Sequence, residues 1–134
     1  MTEKNKKSSP SMDEWLREAK ADADAPQEGM YLVHNGVVRK TAKARVRLGE
    51  DCAPVSGMDF AYDQAKVAVA VDETRTMKGV FYVRVWLNEG RLEVGDDIMY
   101  VLIGGDIRPN VIDALQFLVG KIKTECVNEI ELKD

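Results

Sequence analysis

The sequence is poor in the residues that usually build metal centres and nucleophilic active sites. Its 134 residues include one histidine, His34, and two cysteines, Cys52 and Cys126, which belong to no CxxC or Cys/His cluster. A zinc site of ordinary composition needs several such ligands, so we expect no metal site and two reduced, structural cysteines. Nothing near His34 suggests a Ser-His-Asp or Cys-His catalytic group.

Long apolar segments and an excess of one charge are also lacking. No apolar run approaches the roughly 20 residues that span a bilayer, and the opening "MTEKNKKSSP" lacks the apolar core of a signal peptide. The 19 basic and 23 acidic residues leave a net charge of −4, which does not favour a nucleic-acid binder. We therefore expect a cytoplasmic protein without cofactor, membrane partner or nucleic-acid partner.

What the chain does have is the composition of a globular protein, with 45% hydrophobic and 31% charged residues, at a length that suits one domain. Three predicted helices follow Ser9, Asp63 and Asp106, which are suitable N-caps. Predicted strands cover 30–38, 44–48, 58–63, 80–87, 91–94, 98–105 and 127–133, whereas 49–57 reads as a loop. Short polar turns between strands favour antiparallel pairing. The pattern predicts an α+β domain, an antiparallel sheet with helices packed on one face.

Two of these segments are ambiguous. Residues 63–77 alternate valine with alanine as a buried strand would, but their length and the cap at Asp63 favour a helix. In "YLVHNGVVRK" (31–40), Asn35-Gly36 is either a hairpin turn or an interruption within one strand.

The candidate functional residues are cations. Arg39 follows the first strand, Arg108 opens the last helix, and Lys121 and Lys123 lie near the end of that helix. Arg108 opposes the helix dipole, so it either serves an anion site or pairs with a carboxylate such as Asp106.

Two stretches carry a resemblance to a known family. "YLVHNGVVR" and "NEGRLEVGDDIMYVLIGGDIRPNVIDALQFLVGKIKTE" resemble, in order and spacing, the large, catalytic subunit of molybdopterin synthase. The resemblance implies an α/β hammerhead-like fold in residues 29–134. The residues before it, 1–28, are predicted from their polar composition and apolar spacing to form a flexible tail with a short amphipathic helix that packs on the body or on a partner. The resemblance also implies a homodimer that accepts the C-terminal Gly-Gly tail of a small ubiquitin-like sulfur-carrier subunit. The tail's thiocarboxylate would donate sulfur to a pterin phosphate, cyclic pyranopterin monophosphate.

The resemblance assigns roles by position. Lys123 matches an active-site lysine and is the expected catalytic residue, while Arg39 and Arg108 match arginines expected to bind substrate. The histidine before the second arginine is Ile107 here, another family histidine is Asn88, and a second lysine is Ile130. These departures leave three hypotheses open: a molybdopterin synthase, a non-catalytic paralogue that binds the carrier tail, and an unrelated α+β interaction domain.

The resemblance also favours one strand over a hairpin at Asn35-Gly36. Alternation then sets Arg39 on the face of Val33 and His34 on the opposite face, unless a bulge at Gly36 reverses the relation. We expect His34 to be a structural residue.

Overall fold

The computed structural model describes residues 5–42, 48–49 and 54–133. The helices are α1 (Met12–Lys20), α2 (Gln64–Arg75) and α3 (Arg108–Lys121), with a 3-10 turn at Ala25–Gln27 and a π-helical segment at Ile122–Cys126 that continues α3. The strands are β1 (Met30–Val37), β2 (Val55–Tyr62), β3 (Val80–Leu87), β4 (Gly90–Glu93), β5 (Asp97–Gly105) and β6 (Val127–Lys133).

The described strands form two three-stranded sheets, sheet A in the order β1-β5-β3 and sheet B in the order β4-β2-β6. All pairs are antiparallel, which confirms the predicted pairing and the α+β class. The chain leaves sheet A after strand β3. The Asn88 backbone N–H still donates to the Ile98 carbonyl of β5 at 2.9 Å, and beyond this hydrogen bond the chain turns away from the sheet. β4 consequently pairs with β2 and not with its neighbours in sequence.

Sheet A is covered by helices on both faces, whereas one covered face was predicted. Its central strand, β5, is a continuous apolar run whose side chains alternate between the two faces. Val101 and Ile103 belong to the main core with α2 and α3, whereas Leu102 packs with Trp15 of α1. A strand that is apolar on both faces needs a covering layer on each. We refer to these as the α3 face and the α1 face of sheet A.

Helix α1 packs on the body of the protein. Trp15 and Ala19 are buried, and the Arg84 guanidinium of β3 lies 4.4 Å from the Trp15 ring centroid. The N-cap is Ser11, which accepts from the Glu14 N–H, and not Ser9 as expected from the sequence.

The segment before α1 lies against the sheets, although its polar composition predicted disorder. The Lys7 N–H donates to the Asn88 side-chain oxygen at 2.7 Å, and Lys7 Nζ donates to the Tyr62 hydroxyl at 2.9 Å. Lys6 pairs with Asp96 at 3.0 Å. Contacts made by the backbone and by lysine side chains produce no periodic pattern of hydrophobic residues. The ordered position of this segment could therefore not be predicted from its composition.

The remaining elements separate into confirmed and corrected predictions. Residues 63–77 do form a helix, with Asp63 accepting from the Lys66 N–H. Strand β2 already begins at Val55, within the predicted loop 49–57. The predicted strand 44–48 lies outside the described residues except for Leu48, and Cys52 also lies outside them. Among the residues described, no helix is long and apolar enough to cross a membrane.

Candidate functional site

Strand β1 runs through Asn35-Gly36 without a turn, so the hairpin alternative is excluded. Its register against β5 slips between Gly36 and Val37, which makes it the bulged single strand that the sequence also allowed. The strand ends at Val37, and the next residue, Val38, is buried and bonded to the turn between β4 and β5. This buried anchor fixes the chain just before the first candidate cation.

Arg39 follows that anchor and is exposed. Its Nε donates to the Thr41 carbonyl at 3.0 Å. Arg39 therefore lies beyond the end of β1, where the strand no longer determines which face its side chain takes.

Lys123 lies in the π-helical segment that continues α3 and is exposed. Lys121 belongs to the other side of this element, because its Nζ lies 2.8 Å from Glu125 Oε2 and it lines a cavity toward α2. The two lysines diverge, and Lys121 does not join Lys123 at one centre. A π-helical turn is uncommon and is found frequently at functional sites.

Arg108 opens α3 without a capping side chain. The predicted cap, Asp106, is one residue too early: the N-cap is Ile107, and Asp106 Oδ1 accepts from the Ile107 N–H at 2.6 Å and from Asn110 Nδ2 at 2.9 Å. These two hydrogen bonds hold the pKa of Asp106 below its usual range. Of the two alternatives for Arg108, the pair with Asp106 does not form, and the exposed Arg108 side chain contacts no described residue by a hydrogen bond or ion pair.

The three predicted site residues are not all brought together in one protomer. Arg108 and Lys123 occupy opposite ends of one helical element, and the fifteen steps from residue 108 to residue 123 span roughly 22 Å at about 1.5 Å per residue. A small ligand at Lys123 therefore does not reach Arg108 of the same chain.

His34 is the residue that the sequence reading left out of the site. It lies on the α3 face of β1, paired with Val101, and is half-buried. Burial lowers the pKa of its imidazole, and the positive charge of Lys123 lowers that pKa further. Strand alternation set His34 opposite Val33, but no local signal connected it with a lysine on the last helix.

The three positions at which the sequence departs from the family pattern have different surroundings in the structure. Asn88 is 2% exposed, its amide donates to the Asp97 carbonyl at 2.8 Å, and its oxygen accepts from the backbone N–H of Lys7 and of Glu89. Ile107 and Ile130, by contrast, are 57% and 51% exposed. Asn88 is a structural residue of the β3–β4 connection, whereas the two isoleucines present apolar surface where the resemblance expects polar groups.

A cavity of 690 Å³ lies between α2 and the end of α3, on the Lys121 side. Val69 and Ala70 of α2 and Cys126 line it, together with charged groups of both signs. Cys126 is buried, and burial raises the pKa of its thiol, so it behaves as a core residue. Within the described ranges, no three His, Cys, Asp or Glu side chains are arranged to hold a metal ion.

A family model described as "MoaE protein" matches residues 7–125. A molybdopterin synthase structure from Staphylococcus aureus is 18% identical with a TM-score of 0.71, covering 93% of this chain and 87% of that one. A molybdopterin biosynthesis MoaE protein from Burkholderia ambifaria is 16% identical with a TM-score of 0.68, covering 95% and 86%.

A third similar structure, a protein–protein complex of subunits 1 and 2 of molybdopterin-converting factor from Helicobacter pylori, is 16% identical with a TM-score of 0.63. It covers 91% of this chain and 78% of that one. At such identities the structures show the fold alone. No curated protein matches the chain.

Proposed function

Since the chain belongs to the MoaE protein family, and so takes part in molybdenum cofactor biosynthesis as a large subunit, we propose that it catalyses sulfur transfer. The donor is the thiocarboxylate at the C-terminal Gly-Gly tail of a small ubiquitin-like carrier subunit. The acceptor is cyclic pyranopterin monophosphate, and the reaction takes place in the cytoplasm. The observation that carries this proposal is Lys123, which is exposed in the π-helical segment that continues α3, at the position of the family's active-site lysine.

The proposed ligands are anionic, which suits the exposed cations. A phosphate and a C-terminal carboxylate group both accept charge-assisted hydrogen bonds from Arg and Lys. We propose that Lys123 assists sulfur transfer by stabilising negative charge that develops on the reacting group. Arg39, beyond the end of β1, binds the substrate phosphate or the incoming tail.

The separation of Arg108 from Lys123 supports a homodimeric site. Since one protomer holds these residues at opposite ends of α3, a complete site needs Arg108 of the partner subunit to approach Lys123. Arg108 is exposed and makes no ion pair with a described residue, so it is available for such a contact. Ile107 beside it is 57% exposed and offers apolar surface to the same interface.

One observation favours the alternative, a non-catalytic paralogue that keeps the tail groove as a dimeric binding or regulatory module. Ile130 replaces the second lysine of the family pattern and is 51% exposed on β6, so no positive charge stands at that position. Asn88 is fully engaged in structural hydrogen bonds and does not replace the missing histidine.

The test supplies purified protein with thiocarboxylated carrier and cyclic pyranopterin monophosphate and measures the dithiolene product. Product formation supports the enzyme. Tail binding without product would favour the paralogue, and the absence of tail binding would remove both.

The shared site is tested by mixing two inactive variants, Arg108→Ala and Lys123→Ala. A mixed dimer contains one site with both residues intact, so activity returns after subunit exchange. If the mixture stays inactive while size measurements show exchanged dimers, the two residues do not act in one site.

A further inference from the structure

The segment before α1, residues 6–9, lies across the junction of the two sheets, and we call it the N-terminal strap. Lys7 is half-buried, and its Nζ lies 4.9 Å from the ring centroid of Tyr62 in sheet B and 5.5 Å from that of Trp86 in sheet A. A cation over two aromatic faces is attracted by both rings. The same three side chains line a small cavity of 110 Å³. The strap therefore joins one strand of each sheet through a single lysine.

The remaining contacts of the strap converge on the turn between β4 and β5. Three strap residues make polar contacts at this turn or beside it: Lys6 with Asp96 at 3.0 Å, Lys7 with Asn88, and Ser9 with Asp97. The contact of Lys7 comes from its backbone N–H, which donates to the Asn88 side-chain oxygen at 2.7 Å. The Asn88 amide donates in turn to the Asp97 carbonyl at 2.8 Å. Because Asn88 is buried, this link between the strap and the turn is shielded from water.

The turn is itself held in one conformation by internal hydrogen bonds. Asp96 Oδ2 accepts from the Glu93 N–H at 2.8 Å while it pairs with Lys6, and both interactions hold the pKa of Asp96 below its usual range. The Asp96 N–H donates to the Glu93 carbonyl at 2.9 Å. Gly95 has a φ of 91°, which glycine adopts at little cost. One carboxylate thus connects Lys6 with the backbone of the turn.

The same turn holds the end of β1. The Val38 N–H donates to the Asp96 carbonyl at 3.0 Å, and the Gly95 N–H donates to the Val38 carbonyl at 2.8 Å. Arg39 follows Val38 directly, and the next carbonyl, that of Lys40, accepts from the first residue of β2 at 2.7 Å. The backbone of Arg39 is therefore held between two anchors, and one of them is the turn that the strap contacts.

We infer that the N-terminal strap positions Arg39: Lys6 and Lys7 hold the turn between β4 and β5, and the turn holds Val38. The ligand of Arg39 rests on the proposed function, whereas the coupling between the strap and the turn does not. Lys6 and Lys7 are positioning residues that act through the turn. An arginine binds an anionic group best when its planar guanidinium is correctly oriented, so displacing the backbone of Arg39 weakens binding of the ligand.

Amide hydrogen exchange, measured by NMR, separates this role from a general contribution to stability. The Lys6→Met/Lys7→Met double variant keeps the aliphatic stems and removes both charged ends. Exchange at the Val38 and Gly95 amides should become about fivefold faster or more, relative to the amide of Ile103 in the core of β5, because the turn opens locally. Equal acceleration at all three amides, or none, would overturn the proposal.

The matched control is Lys20→Met, which makes the same chemical change at an exposed lysine at the end of α1. It should leave exchange at Val38 and Gly95 as it is in the parent protein. If it accelerated these amides as much as the double variant does, the effect would come from net charge and the strap would have no role of its own.

Kinetics test whether the strap acts through Arg39. In the dithiolene assay, the Lys6→Met/Lys7→Met double variant should raise the KM for the ligand of Arg39 about tenfold and leave kcat within about twofold, as expected when a binding interaction is lost. Arg39→Ala should raise the same KM, and adding the two lysine substitutions to it should have little further effect. Independent, multiplying effects on KM would show that the strap acts elsewhere, which would overturn the proposal.

These outcomes are separate from those of the proposed function. If the parent protein forms no product, the catalytic proposal fails, and exchange at Val38 and Gly95 still decides whether the strap holds the residue before Arg39. If product forms and the double variant has the KM of the parent, the positioning role fails and the catalytic proposal stands.

Discussion

The two faces of sheet A have different compositions and different tasks. The α1 face is aromatic: Tyr82, Trp86 and Tyr100 pack around Trp15, with charged residues such as Arg84 at the rim. The α3 face is mainly aliphatic and belongs to the main core, and its edge strand carries the half-buried His34. The same strands therefore build a docking surface for α1 on one side and position the candidate site on the other. The predictions below test whether this separation is real.

The largest expected effect is on the α3 face. Lys123→Ala should lower turnover by at least about 100-fold, because it removes the charge that is proposed to stabilise the reacting group. Initial rates of dithiolene formation measure this. The matched variant Lys121→Ala removes an exposed ion pair with Glu125 and should leave the rate within about twofold. Equal rates for both variants would refute the assignment of Lys123.

On the α1 face the largest effect should be on stability. Trp15 is 5% exposed, so Trp15→Ala should lower the free energy of unfolding by about 3 kcal/mol, as measured in urea. The exposed control Lys20→Ala should change it by less than about 0.5 kcal/mol. Turnover per folded Trp15→Ala molecule should be unchanged. A loss of turnover in well-folded protein would show that α1 belongs to the site.

Gly104 and Gly105, at the end of β5, point toward opposite faces of sheet A and allow a direct comparison of the two faces. A Cβ at Gly105 would lie 2.5 Å from the Gly79 carbonyl oxygen and 2.7 Å from Val111 Cγ2, so Gly105→Ala should cost about 1 to 3 kcal/mol of stability. A Cβ at Gly104 meets two side chains, the Glu28 carboxylate and the Tyr31 ring, whose Cε1 would lie 2.9 Å away, and side chains can shift more easily than backbone can. Thermal unfolding should therefore rank Gly105→Ala below Gly104→Ala. The reverse order would contradict this difference between the faces.

The smallest effect concerns pH on the α1 face. Burial raises the pKa of Glu28, whose Oε1 is buried without a hydrogen-bond partner and whose Oε2 accepts from the Tyr31 hydroxyl at 2.6 Å. Burial and this carboxylate also raise the pKa of Tyr31 to about 12. The folded state thus binds the Glu28 proton more tightly than the unfolded state. The protonated Glu28 therefore contributes to the free energy of unfolding. This contribution is complete below the ordinary pKa of 4.5 and is lost as the pH rises through the raised pKa of the folded protein.

Glu28→Gln cannot ionise, so it should not lose stability as the pH rises. Near neutral pH its free energy of unfolding should exceed that of the parent protein by less than about 1 kcal/mol. Urea titrations at several pH values measure the difference. Asp113→Asn, an exposed control on α3, should leave the pH dependence as it is. An unchanged profile in Glu28→Gln would show that this carboxyl is solvated in the folded protein.

Much of the fold was predictable because its signals are local. The strand 80–87 has the predicted bounds, and the helices after Asp63 and Asp106 have the predicted type, since alternation and helical period are properties of neighbouring residues. Cap positions were less certain: Ser9 was predicted where Ser11 caps α1, because several polar residues near a helix start can satisfy its N–H groups. At α3 the N-cap is Ile107, whose side chain cannot cap, and the predicted Asp106 lies one residue before it.

The candidate site was only partly predictable. The family resemblance pointed to Arg39, Arg108 and Lys123, and these roles remain predictions. His34 was expected to be structural, and no local signal in the sequence indicated that burial and the charge of Lys123 would lower the pKa of its imidazole. A lone histidine between apolar residues has no local feature that separates a core residue from a site residue.

The sequence by itself determined the helices, most of the strands, the antiparallel α+β class and the family, because each depends on residues close together in the chain or on a linear pattern. Tertiary structure alone decided that β4 pairs with β2, that α1 covers the second face of sheet A, and that Arg108 and Lys123 stand apart in one protomer. These relations depend on which distant surfaces bury each other, and the free energy of that burial is shared over the whole fold and not encoded at any one position.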